Sequence, residues 1–361
     1  MSSFAIFRLP FAETCTLMVQ EEGEPEELHR LSSLNDRQGY VFAPFAVSPK
    51  QPILLLSPTH VETMDCKEVV TVCSSGILAD YAFPCQVIPS PLSSHYQMRY
   101  HLDFCNFFAQ LHEGTFRKIV LSRCLDLDVA EPESPFMLFQ KACERYPRMF
   151  ISLVSTLQGG TWLTATPEIL LESCTPESLP QGGVGGGSSF RTIALAGTVP
   201  FTEEVRWSEK NIREQRYVAT YMMETLEQFT NKISEEGPYT TRAANLAHLR
   251  SDFTFTLSDN HHLGTLLQTL HPTPAVCGIP KREAFDFILR NESSPRRYYS
   301  GFQGPLQPEG ETHLYVSLRC MMINGGHYAL YAGGGLLKDS IEESEWQETE
   351  AKLNTMRNVL E

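Results

Sequence analysis

Between residues 94 and 113 the apolar positions Tyr100, Phe104, Phe107, Phe108 and Leu111 recur at helical spacing and predict a helix with one buried aromatic stripe. From about Ser208 to Ser234 a second stripe of Ile212, Ala219, Met222, Leu226, Phe229 and Ile233 predicts the longest helix, with Glu214 on its shoulder. A third helix starts at Pro280, a residue suited to a first turn, and runs to about Leu289. The last is predicted from Ser340, read as an N-cap with Glu343 as its capping-box partner, and buries Trp346, Thr349, Leu353, Met356 and Leu360. Glu345, Glu348 and Lys352 fall on a narrow arc beside that stripe, where a helix borders a cavity.

Strand signals fill much of the remainder. Residues 1 to about 95 hold short apolar runs such as Tyr40-Val41-Phe42 and Ile53–Leu56, without a catalytic pattern. A strand is predicted from Lys118 to Asp128, then a pair, Met149–Thr156 and Thr161–Ser173, joined by the turn Gln158-Gly159-Gly160. Thr166-Pro167-Glu168 interrupts the second of the pair, so it bends there, because proline cannot donate in a central ladder. Glu168 is then either a buried acid whose proton affinity is raised or an exposed glutamate on a bulge. Ile193 to Thr198 reads as a strand ending in a tight glycine turn. Leu314–Ile323 and Tyr328–Tyr331 are the last strands, with Arg319 mid-strand among apolar neighbours, where a buried guanidinium needs an anionic partner.

Composition narrows the picture. The 361 residues are 42% hydrophobic and 20% charged, as in a soluble globular protein, and the formal charge of −14 argues against nucleic acid or an anionic membrane as partner. No apolar run is long enough for a transmembrane helix, and the N-terminus lacks a signal-peptide pattern. The ten cysteines form no CxxC and read as reduced core residues of a cytoplasmic protein; Cys105, Cys124, Cys143 and Cys320 lie in periodic apolar segments. Gln181–Ser189 is glycine-rich but has neither the Lys-Ser/Thr of a phosphate loop nor a following helix, and reads as a connector.

Three glutamates on two helices, Glu214, Glu345 and Glu348, make an all-oxygen set suited to Mg²⁺ rather than zinc. Such a metal, with Arg319, Lys352 and the backbone N–H groups of Gly333, Gly334 and Gly335, could receive a carboxylate-bearing substrate. Lys118 and Glu168 are left as base and acid candidates.

The ordered series KIVLSR, TPEILLES, LAGT, KNIREQ, HLRSDF, HPTPAVCGIPK, RRYYSGFQG, LRC, YAGGG and EWQETEAKL closely resembles the chorismate-utilising enzymes, the anthranilate synthase component I-like family, and within it the isochorismate synthase branch. The resemblance covers about residues 95 to 361; residues 1 to 94 match only diffusely, at GYVFAPF. It implies an α+β fold, one intertwined domain over residues 1–361 with two large antiparallel sheets facing each other and helices outside. Residues 1–94 would add strands to the motif-bearing core.

The resemblance also implies a Mg²⁺-dependent isomerase that converts chorismate to isochorismate for menaquinone or siderophore biosynthesis. Lys118 would be the base activating water for attack at C2, and Glu168 the acid protonating the departing C4 hydroxyl. Glu214 and Glu348 would ligate Mg²⁺, with Glu345 supporting them. Arg319, Lys352 and Gly333 to Gly335 would bind carboxylates, while Gly197, Thr198, His248 and Ala275 would complete the substrate pocket. A lysine base must be neutral when it acts, and a glutamic acid donor must be raised toward neutrality.

Ala196 stands where the aminodeoxychorismate branch typically has a nucleophilic lysine, and no amidotransferase subunit is expected. Salicylate synthase, which forms isochorismate and then eliminates pyruvate, is the nearest rival reading, and a non-catalytic chorismate-binding homologue is the rival from another class. Asn211 and Gln215 replace the Asp and His of the family's KDxxEH helix, which puts metal affinity in question. The pathway served and the oligomeric state are left open.

Overall fold

The computed structural model describes residues 2–86, 96–174, 188–243, 246–308 and 310–361. The N-terminal third supplies β1 (Ser3–Arg8), β2 (Thr14–Gln20), β3 (Glu26–Leu28), β4 (Gly39–Ala43), β5 (Ile53–Leu56) and β6 (His60–Asp65). Helices α1 (Val69–Ser75) and α2 (Tyr96–His112) precede β7 (Lys118–Asp128), α3 (Pro135–Arg145), β8 (Phe150–Thr156), β9 (Gly160–Thr166), β10 (Ile169–Ser173) and β11 (Ser188–Pro200). Then come α4 (Glu209–Leu226), β12 (Ile233–Ala243), β13 (Leu246–Leu257), α5 (Leu263–Leu270), β14 (Gly278–Ile279) and α6 (Lys281–Asn291). The chain closes with β15 (Phe302–Leu306), β16 (His313–Val316), β17 (Cys320–Asn324), β18 (His327–Leu336) and α7 (Glu342–Leu360).

The strands form two nine-stranded antiparallel sheets, β14-β7-β18-β17-β9-β8-β1-β2-β6 and β12-β13-β11-β10-β16-β15-β4-β5-β3. At β1, β4 and β5 both faces of the sheets are covered, which explains why these strands are continuously apolar instead of alternating with polar residues, whereas the edge strands β6 and β12 are largely exposed. In β1, Phe4 and Ile6 pack outward with α3 and α7, whereas Ala5 and Phe7 point into the layer between the sheets. In β4 and β5, Tyr40, Phe42, Leu54 and Leu56 share that middle layer, while Val41, Ala43, Ile53 and Leu55 turn to the α4–α5 side. The N-terminal strands thus complete one end of each sheet, β1-β2-β6 beyond β8 in the first and β4-β5-β3 beyond β15 in the second.

The break at Thr166-Pro167-Glu168 is more than a bend. β9 belongs to the first sheet and β10 to the second, so the chain changes sheets at Pro167. Its neighbour does the same in reverse: β16 ends in the second sheet at Val316 and β17 begins in the first at Cys320. Arg319 is therefore not mid-strand as predicted but in this second crossing, with a left-handed φ of 46°. The crossings stay hydrogen-bonded to each other, Val316 N–H to Glu168 O (2.9 Å) and Ala165 N–H to Arg319 O (3.2 Å).

Other predicted elements differ in detail. The helix expected over 208–234 stops at Leu226, and α7, at 19 residues, is longer; β12 begins at Ile233. Phe229 and Ile233 still join the core beside α4, but across a turn, while Ile212 is half-exposed. Ser340 does not cap α7: its Oγ accepts from Leu337 N–H (3.0 Å), Ile341 is the N-cap, and Glu343 accepts from Gln347 instead. All ten cysteines are free thiols, but Cys85 and Cys105 are exposed rather than in the core. The glycine-rich connector at 182–187 lies outside the described residues.

Candidate active site

The two crossings set Glu168 and Arg319 in the wall of a cavity between the sheets. Its lining also takes Gly197, Thr198, Glu214, His248, Ala275, Tyr299, Gly333, Gly335, Glu348 and Lys352. The empty space, about 610 Å³, includes the open mouth as well as the cavity itself.

Gly197 brings α4 to this wall. It is not a turn but a bulge in β11 with φ of 67°, opposite β13, and a Cβ there would lie 3.1 Å from the Asn211 Cβ. Asn211 and Ser208 cap α4 reciprocally, and buried Gln215 donates to Ala194 O (3.0 Å) in β11. Both residues that depart from the family helix therefore fasten α4 and do not join the carboxylate cluster. Glu214, facing inward from α4, meets Lys118 Nζ at the start of β7 at 2.9 Å, so this buried ion pair ties the second sheet's helix to the first sheet.

Gly335 makes room for that pair: a Cβ there would lie 2.2 Å from Glu214 Oε1 and 2.8 Å from Lys118 Cε. Val120 and Ser122 direct their N–H groups away from β18, to Cys277 O and Glu292 Oε1, so the antiparallel alternation turns the backbone polar groups of their partners Gly335 and Gly333 away from β7. Gly333 O there accepts from Lys352 Nζ (2.8 Å).

The charged groups differ in character. Burial pushes the Glu168 carboxyl up to about 7, against the pull of Lys118, Arg319 and Lys352. Burial acts likewise on Glu214, but Lys118 beside it, helped by Lys210 and Lys352, holds that carboxyl below the usual range. His248 is driven well below the usual histidine range by burial and then by Arg319 and Lys352, so the ring is neutral. It accepts from Arg319 Nη2 (2.6 Å) through Nε2, which leaves Nδ1–H to donate to Thr198 Oγ1 (3.2 Å). Arg319 Nη1 is buried with no partner. A guanidinium N–H without an acceptor in a cavity wall is a ready site for a ligand carboxylate.

The site residues read from the sequence come together with three qualifications. Lys118 does not line the cavity and reaches it through Glu214. Glu345 lies on the adjoining mouth with Lys210, and Gly334 faces Glu345 and Glu348. Among the described residues, no three His, Cys, Asp or Glu side chains are grouped as a metal site. Each carboxylate holds a lysine: Glu214 holds Lys118, Glu345 holds Lys210, and Glu348 holds Lys352.

The donor chemistry nonetheless fits a hard divalent cation. A Cβ on Gly334 would lie 3.5 Å from Glu345 Oε2 and 3.6 Å from Glu348 Oε1, so both carboxylates face one spot, and burial together with Glu348 raises the Glu345 proton affinity. Sequence reasoning missed Tyr299, within the RRYYSG motif, and Lys210. The signal for Lys210 is a cation in the first turn of α4, against the helix dipole and one turn before Glu214.

The family model for chorismate binding enzymes matches residues 90–361. The chain belongs to the chorismate-binding enzyme family. Within it, the chain is 28% identical over 253 residues to isochorismate synthase EntC of Escherichia coli K12, covering 67% of the chain and 62% of EntC. It is 31% identical over 270 residues to isochorismate synthase DhbC of Bacillus subtilis 168, covering 70% and 65%. The match thus spans less than two thirds of either relative. The solved structure of MenF, the menaquinone-specific isochorismate synthase of E. coli, superposes with a TM-score of 0.77 at 21% identity over 99% of this chain and 89% of MenF, which shows the shared fold.

Proposed function

We propose that the protein is an isochorismate synthase, an isomerase that moves the ring hydroxyl of chorismate from C4 to C2 by adding one water and releasing another. The observation that carries this reading is the pairing, in one cavity of a chorismate-binding fold, of a buried carboxyl poised near 7 with a guanidinium N–H left free for a carboxylate. Relatives that carry the name isochorismate synthase support it.

Arg319, through Nη1, and Lys352 bind substrate carboxylate. Neutral His248 holds Arg319 in place from behind, and Ala275 borders the ring. Glu168 gives its proton to the leaving C4 hydroxyl, since a hydroxide ion is a poor leaving group. Lys118, once its hold on Glu214 is loosened and its own proton is released to solvent, takes a proton from the attacking water. Glu214, Glu345 and Glu348 would hold Mg²⁺, which, when bound, supplies an electrophilic anchor for the ring carboxylate and competes with Lys118 for Glu214.

Charge balance favours this. With Glu168 protonated as the acid and Lys118 neutral as the base, three carboxylates (Glu214, Glu345, Glu348) face three cations (Lys210, Arg319, Lys352), so a dicarboxylate substrate brings two negative charges that a divalent cation offsets. Water as nucleophile requires no amidotransferase partner, and the ten free thiols suit a reducing, cytoplasmic setting. No helix among the described residues is long and apolar enough to cross a membrane.

Purified protein with chorismate and Mg²⁺ should give isochorismate, resolved by chromatography, and only with the metal. Salicylate with pyruvate would reassign it as a salicylate synthase, and binding without turnover would make it a chorismate-binding homologue. Lys118→Ala and Glu168→Gln should each lose most turnover yet still bind chorismate.

A further inference from the structure

Lys210 has no part in the chemistry above, yet its placement carries a cost. It stands in the first turn of α4, where the helix dipole disfavours a cation, and much of its side chain is withdrawn from solvent. Its ammonium contacts Glu345 and is attracted by Glu214 and Glu348 as well, so one lysine addresses all three carboxylates of the cluster. It does so from the cavity mouth, which Lys210, Glu345, Glu348 and Thr198 line together. Thr198 and Glu348 also belong to the substrate cavity, so the mouth and the site are continuous.

Two carboxylates that face one spot cannot stay ionised side by side without a counter-charge. Here that charge is supplied by a side chain on a flexible stem, at the open side, where it can swing out to solvent. Lys118 and Lys352 could not leave as simply: Lys118 is fully enclosed, and Lys352 is also tied to Gly333 O.

We propose that Lys210 is the resident counter-cation of the Glu214–Glu345–Glu348 cluster, occupying it in the metal-free protein and yielding it when a divalent cation binds. The inference rests on the metal role given to these carboxylates under the proposed function. Lys210 is then a positioning residue that keeps the cluster assembled before loading and weakens metal affinity by competing for it. Removing its charge should tighten metal binding while destabilising the metal-free protein; a residue with only a structural role would do the second without the first.

The test uses Mn²⁺ as probe and reads free ion by electron paramagnetic resonance on the wild type and on Lys210→Met. Arg213→Met loses one positive charge from the next turn of the same helix, outside the cluster, where Arg213 pairs with Asp339. The expected result is a Mn²⁺ Kd at least about ten-fold lower in Lys210→Met and within about two-fold of wild type in Arg213→Met. A metal-free Tm below wild type, regained on adding Mn²⁺, is expected alongside. Should Lys210→Met fail to fold, Lys210→Gln, which keeps a hydrogen-bond donor without the charge, takes its place. Wild type that binds Mn²⁺ with the Lys210 variant equal or weaker would overturn the counter-cation role while leaving the metal reading intact. No binding to any of the proteins would remove the metal reading and this inference with it.

Discussion

Glu168 and Glu172 sit four residues apart, are both buried, and are pushed in opposite directions. Burial would raise Glu172 too, but His313 (2.7 Å) and Arg191 bond its carboxylate and hold it low. Glu168 feels Lys118, Arg319 and Lys352 only through their charge, and burial wins. The folded value of about 7 exceeds the ordinary 4.5, so the folded state binds this proton more tightly. The resulting stability is complete below about 4.5 and lost as pH rises through about 7. Glu168→Gln, which keeps the neutral form, should therefore be more stable than wild type at pH 8, by up to about 3 kcal/mol in denaturant melts, with the gap closing toward acid pH. Its turnover should fall about 10²–10⁴-fold, and wild-type turnover should decline above about pH 7 as the acid is lost. Sequence alone could place an acid at a break in an apolar run but could not choose between burial and exposure, because that depends on what covers the break.

At the scale of elements, α4, α7 and β7 hold the paired charges, and the β18 glycines set their clearance. Gly335→Ala would drive a methyl against Glu214 and Lys118, whereas at Gly334 the same methyl meets Glu345 and Glu348 at ordinary contact distance. Gly335→Ala should lose at least about 100-fold in kcat/KM, and Gly334→Ala should stay within about ten-fold, in steady-state assays with Tm as the folding control. The two helices are legible in the sequence because each buries one periodic face, and β7 because it opens with a short apolar run that is buried on both sides. The sheet change at Pro167 and the bulge at Gly197 are not: apolar spacing shows that a strand exists, not which strand pairs with it, and a positive φ looks the same in a turn and in a bulge. For the same reason the α4 stripe extends in the sequence through Phe229 and Ile233, which reach the same core from a turn and a strand.

Across the whole molecule the sheets are joined by more than apolar contact. Gln303 of β15, fully enclosed, accepts from Tyr40 Oη (3.1 Å) and Ser152 Oγ (2.8 Å) and donates to Thr164 Oγ1 (2.8 Å) and Ser317 Oγ (3.2 Å). One amide thus satisfies all its hydrogen bonds with partners from both sheets, next to the crossing that ends at Arg319. Gln303→Leu would strand those hydroxyls and should cost about 2–4 kcal/mol in urea melts. Nothing in the sequence around Gln303 announces this role, since its partners come from four separate segments. What joins the fold to its chemistry is the claim that water enters at C2 while the C4 hydroxyl leaves on a proton from Glu168. Running the reaction on unlabelled chorismate in H₂¹⁸O and analysing the product by mass spectrometry tests this most directly. One ¹⁸O at C2 of isochorismate is the expected result; isochorismate formed without label, as internal transfer of the C4 hydroxyl would give, would contradict the account.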